Sequence, residues 1–155
     1  MELAEDVLVS ANISATRTAA RAKLLRELDS GRALERFERM VLAQGGRLDV
    51  TRPIAPAHDL CGERSGFVES IDTEALGLII IDLGGGRRQL TDAIDHSVGL
   101  EMLVRIGDEV LSGQPLVRVF ASTRKFEETA ARLRAAITIG DEPTDSPLLI
   151  VERLE

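Results

Sequence analysis

A chain of 155 residues is long enough for one domain with an appendage and for a core of real size. Aromatics are 3% of it, with neither Trp nor Tyr, against an apolar share of 44%. Leu, Ile, Val and Ala must therefore fill the core, and stacking platforms for single-stranded nucleic acid are scarce. A net charge of −7 and a pI near 5.0 leave no basic excess to displace counterions from a phosphate backbone, which argues against nucleic acid as a partner.

The first residues, Met1 to Asp6, lack the basic and apolar regions of a signal peptide, and Cys61 has no second cysteine to pair with, so a cytoplasmic address is expected. The longest apolar run, Leu76 to Ile81 with Gly77 inside it, falls far short of the roughly 20 residues of a membrane span. No membrane partner is expected.

Residues 1 to 44 predict three helices. Leu3, Val7, Leu8 and Ala11, then Ala20, Leu24 and Leu28, then Leu34, Phe37 and Val41 recur at helical spacing. Ser30 is placed to cap the third, and Gly45-Gly46 to end it. Such short amphipathic helices need a surface to pack on, either one another or something outside this chain. Residues 47 to 57 turn polar and carry Pro53 and Pro56, which predicts a linker between a helical segment, 1–46, and a β-rich domain, 58–155.

Beyond the linker the period becomes two. Gly66 to Ile71, Leu78 to Leu83, Leu100 to Arg105 and Pro115 to Ala121 are predicted strands. The run Val104 to Val117, with its Gly-Asp and Ser-Gly turns, looks like half of a biotinyl/lipoyl-type barrel-sandwich hairpin. Phe126, Ala130, Leu133 and Ile137 then mark one apolar helix face, with Glu128 and Arg132 at pairing distance on the outside. A turn-rich connector follows, and Leu148 to Val151 is expected as a closing strand. The predicted fold class is α+β: N-terminal helices, then a small barrel-sandwich hybrid domain with one covering helix and a closing strand.

Gly84-Gly85-Gly86-Arg87-Arg88 is expected to follow a strand, where backbone N–H groups and two guanidinium groups could face an anion. It lacks the ending of a P-loop and the spacing of a dinucleotide fingerprint, so an ordinary hairpin turn is the leading interpretation. His58, Asp59 and Cys61, and Asp95-His96, do not have the spacing of a structural zinc site, and no metal is expected. His58 reads as a linker residue and Cys61 as a small apolar side chain. Asp72, Glu74, Asp82, Asp92 and Asp95 suit turns, where carboxylates accept local backbone hydrogen bonds. No nucleophile or tuned partner stands beside them, so no catalytic residue is assigned. A swinging-arm carrier needs a lysine at a hairpin tip, whereas Lys23 and Lys125 fall on or beside predicted helices.

Several blocks in one order carry a resemblance. They are Met1 to Leu8, Ser30 to Phe37 with Ala43-Gln44-Gly45-Gly46, Ser65-Gly66-Phe67-Val68, Ile71-Asp72, Gly84 to Arg88, and Ala135-Ala136-Ile137. Together they resemble the C-terminal part of thymidine and pyrimidine-nucleoside phosphorylases. Arg47, where an acid is usual, and Phe67, where Tyr is common, depart from that pattern. The resemblance implies an enzyme that converts thymidine and phosphate to thymine and 2-deoxyribose 1-phosphate, with phosphate as co-substrate and no cofactor. It places the phosphate- and pyrimidine-binding residues upstream of the matched region, which would leave this chain inactive alone. It also implies that the partners are that upstream region and a second subunit of a homodimer, and that Gly84 to Arg88 help close the cleft. The alternative is a stand-alone binding or carrier-like domain that associates with a partner enzyme.

Overall fold

The computed structural model describes residues 1–148 and 150–152. It divides into two compact units, Met1–Thr51 and Arg52–Glu155.

The first unit is three helices: α1 (Glu2–Ser10), α2 (Arg17–Asp29) and α3 (Arg32–Ala43). Thr16 starts α2 by accepting the Ala19 amide at 3.2 Å, a side-chain N-cap. Ser30 closes α2 and does not cap α3. Gly31 occupies that position at φ 77°, a left-handed conformation open to glycine, so the boundary falls one residue later than the serine suggested. Gly45, at φ 79°, ends α3 as expected. The unit has almost no core of its own. Ala20 is its one buried apolar residue, while Leu34, Phe37, Met40 and Leu42 on α3 are exposed. What ties α1 to α2 is polar: buried Glu5 accepts from Arg21 Nη1 at 3.0 Å and from Arg17 Nη2 at 3.5 Å.

The second unit contains strands β1 (Ala57–Cys61), β2 (Gly66–Ile71), β3 (Gly99–Met102), β4 (Glu109–Val110), β5 (Pro115–Phe120) and β6 (Ile137–Gly140). Helices α4 (Thr73–Ile80) and α5 (Thr123–Ala135) lie between them in sequence. The strands form two antiparallel three-stranded sheets, ordered β1-β5-β3 and β4-β2-β6, so the fold class is α+β. Across the first sheet Asp59, Arg118 and Glu101 stand in one row. Arg118 reaches the Asp59 carboxylate with both prongs of its fork, at 2.8 and 3.1 Å. That guanidinium holds the Asp59 carboxyl below its usual range.

Leu60, Val68, Val117, Val119, Ile79 and Leu133 are buried in one core; burying each such side chain contributes about 1.5–3 kcal/mol. Leu76 and Ile79 bring α4 into this core beside α5, so two helices cover the strands where the sequence predicted one.

Several expected elements are placed differently. Leu78 to Leu83 is not a strand: Asp72 accepts the Ala75 amide at 2.9 Å and starts a helix there. Its buried residues Leu76, Ile79 and Leu83 are spaced by three and four, a helical period that the β-branched run Ile79 to Ile81 obscured. His58 lies in β1 and not in a linker, because Pro56 sits just before the strand, where a missing donor costs nothing. The strand expected from Leu100 to Arg105 is shorter, ending at Met102. Ile137 belongs to β6, not to the α5 face: α5 ends at Ala135, and Ile137 pairs with Ile71. The closing strand expected at Leu148 to Val151 includes Leu149, outside the described residues; Leu148, Ile150 and Val151 have no regular secondary structure.

Candidate functional site

Gly84 to Arg88 emerge from a helix and not from a strand. At the end of α4 the backbone widens into a π-type turn, Ile81–Gly85, which Gly84 terminates at φ 101°. Glycine is required here on two grounds. A left-handed backbone strains any residue with a Cβ, and one built on Gly85 would lie 2.8 Å from Ile80 Cγ2. The turn is held from both sides. Its Gly84 carbonyl accepts the Asp95 amide at 2.8 Å, and its Leu83 carbonyl accepts from Lys125 Nζ at 2.5 Å.

At the end of the glycine-rich loop two backbone amides are already taken. The Asp92 carboxylate accepts the Arg88 and Gln89 amides, both at 3.0 Å, so the loop's own acid fills the position an anion would take. Asp72 and Asp95 likewise serve local structure, through the Ala75 and Ser97 amides.

Asp82 behaves differently from these turn carboxylates. One of its oxygens accepts from Arg88 and the other from Arg132 on α5, with only 19% of its side chain exposed. The Arg132 guanidinium, then that of Arg88, hold its carboxyl below the usual aspartate range, and Asp82 in turn raises the pKa of Arg88. Arg132 thus leaves the partner its helical spacing suggested; Glu128 is taken by Arg124 at 2.7 Å. Leu78, Ile81, Asp82, Arg87, Arg88 and Arg132 line one surface groove of about 390 Å³. Arg87 is exposed, and its side chain makes no ion pair with a described residue.

Sequence reasoning missed Arg132 and Lys125 as anchors of this loop. They are seven residues apart on α5, two helical turns, and so share one face. That spacing sets both cations beside the apolar stripe but does not name their partners, which lie 50 and 42 residues away.

The remaining candidates do not converge. His58 Nε2 donates to the Ala121 carbonyl at 3.1 Å, and its ring stacks on Phe126 with centroids 4.9 Å apart. Asp59 belongs to the strand row, Cys61 is half-buried, and His96 is exposed on a separate loop. Among the described residues, no group of three His, Cys, Asp or Glu is placed to hold a metal ion. Lys23 lies in α2 and Lys125 in α5, neither at a hairpin tip. No described helix is long and apolar enough to cross a membrane. Chemically, the groove offers guanidinium groups for an oxyanion and an apolar wall, with no nucleophile paired to a base.

Residues 67–140, which span β2 to β6 and include the whole groove, match the family model for the pyrimidine nucleoside phosphorylase C-terminal domain.

Proposed function

From a pyrimidine nucleoside phosphorylase C-terminal domain at residues 67–140, we propose that this chain is the C-terminal part of such an enzyme and is catalytically silent by itself. The reaction is phosphorolysis of thymidine or a related nucleoside, giving the free base and 2-deoxyribose 1-phosphate. The observation that carries this proposal is the family match, whose extent takes in the π-type turn, the arginines and α5 together.

The division of labour is a helical segment (1–46), a linker (47–57) and a β-rich domain (58–155) of barrel-sandwich type. The phosphate and pyrimidine sites belong to an upstream region, which is the chain's partner, and the whole enzyme is a cytoplasmic homodimer without cofactor. Two features support this. Apolar side chains of α3, Leu34, Phe37 and Met40 among them, are exposed, as expected of helices that pack on another part of a larger protein. The groove supplies charge but no reacting group.

Phosphorolysis requires phosphate and nucleoside to be positioned and enclosed while the departing base is stabilised. Gly84, Gly85, Gly86, Arg87 and Arg88 act in that enclosure. The turn gives the two arginines a fixed base, and Asp82 with Arg132 orients Arg88. In a full-length enzyme, Arg87→Ala with Arg88→Ala lowers kcat; phosphorolysis kinetics unchanged from the parent enzyme would refute that role.

A further inference from the structure

We propose that the groove between α4 and α5 is an oxyanion site, in which Arg87, Arg88 and Arg132 bind a doubly charged tetrahedral group of the phosphate or sulfate class. The inference concerns this chain's own residues and holds whether or not the chain is part of a phosphorylase.

Local charge is the first argument. In a chain of net charge −7, three guanidinium groups line one groove whose single carboxylate is Asp82. The groove is therefore cationic against the sign of the whole molecule, a concentration of field that attracts anions.

Donor capacity is the second. Each guanidinium has five N–H donors, and Asp82 occupies one nitrogen of Arg88 and one of Arg132. The two side chains remain 71% and 52% exposed, so their remaining donors are accessible, and Arg87 has no ion-pair partner among the described residues. Asp82 acts as the orienting group: with an oxygen on each arginine, it fixes two forks side by side, as tetrahedral oxyanions with several acceptors require.

Selectivity follows from the surroundings. The backbone amides of Arg88 and Gln89 are already satisfied by Asp92, so at these two positions the ligand is left to the guanidinium forks. Leu78 and Ile81 give the groove an apolar side, which leaves room for the carbon skeleton of an ester.

The test is an NMR titration of the full 155-residue chain at constant ionic strength, following the arginine side-chain resonances. Inorganic phosphate, sulfate, ribose 5-phosphate and acetate are the probes. The proposal predicts saturable shifts at Arg87, Arg88 and Arg132 with the dianions and much weaker ones with acetate. Tighter binding of ribose 5-phosphate than of inorganic phosphate assigns the site to a phosphate ester, and the reverse assigns it to the free ion. Arg132→Ala and the Arg87→Ala, Arg88→Ala pair should each weaken binding by about fivefold or more. Arg132→Lys, which keeps the charge and loses the fork, should retain part of it. Arg124→Ala, an exposed arginine of the same helix paired to Glu128, should leave binding unchanged. Absence of saturation, or equal weakening by Arg124→Ala and Arg132→Ala, would overturn the proposal.

Discussion

The Lys125 ammonium donates to the Leu83 carbonyl at 2.5 Å, which ties the first turn of α5 to the π-type turn that follows α4. A widened turn leaves carbonyl groups that the regular helical ladder does not satisfy, and here a lysine from a distant helix supplies a donor. Position and charge of the arginine loop therefore depend on α5 as much as on the glycines.

Replacing Lys125 by Met keeps its apolar stem and removes that donor. The expected loss is about 1 kcal/mol of stability, with faster exchange at the Asp95 amide, which bonds the same turn. Urea denaturation and amide exchange measure the two effects, and unchanged Asp95 protection would contradict the anchoring role.

Alanine substitutions separate the glycines by their surroundings. Gly84→Ala meets a left-handed backbone and Lys125 Nζ at 3.1 Å, and Gly85→Ala meets Ile80 Cγ2 at 2.8 Å. Each should cost about 1–2 kcal/mol. Gly77, inside α4 with open space around it, should become more stable by about 0.5–1 kcal/mol as Ala. Melting temperatures of the three variants should therefore move in opposite directions.

In the helical unit, Glu5→Ala removes a buried acceptor shared by Arg17 and Arg21. Because both arginines reach water, the loss is expected at about 1–2 kcal/mol, less than for a fully buried pair. Arg21→Ala leaves Glu5 buried with the longer Arg17 contact and should cost at least as much. Helical circular dichroism during thermal melting reads both.

Asp82 gives the loop an acid dependence. Its folded carboxyl titrates below the unfolded value, so its contribution is complete above that value, about 3.9, and is lost as pH falls through the lowered folded value. A carboxyl-carbon NMR titration should show Asp82 still ionised at a pH where an ordinary aspartate is half protonated. Arg132→Ala removes the leading cause and should bring its titration back toward the ordinary range.

Much of this was legible in the sequence, and the exceptions have physical reasons. β2 and β5 declared themselves as short β-rich runs bounded by Gly and Asp turns, and the three N-terminal helices by their apolar spacing. The run Leu78 to Ile81 is apolar on every side, so it carries no alternation, and β-branched composition pointed the wrong way. Its true register was written in the Asp72 cap and in the spacing of Leu76, Ile79 and Leu83. β6 has only four residues and follows α5 after one intervening residue, so the helical period ran on into Ile137. At the site, the glycines and Arg87-Arg88 were visible as a motif. The bond from Arg132 to Asp82 was not, because nothing local distinguishes an arginine that pairs along its helix from one that turns to another.

If this chain is the catalytically silent part of a nucleoside phosphorylase that we propose, incubating the purified 155-residue chain with thymidine and phosphate, with thymine release followed by chromatography, should give no release above a protein-free control, alongside turnover by a full-length phosphorylase in the same buffer. Phosphate-dependent release of thymine by the chain alone would contradict that proposal.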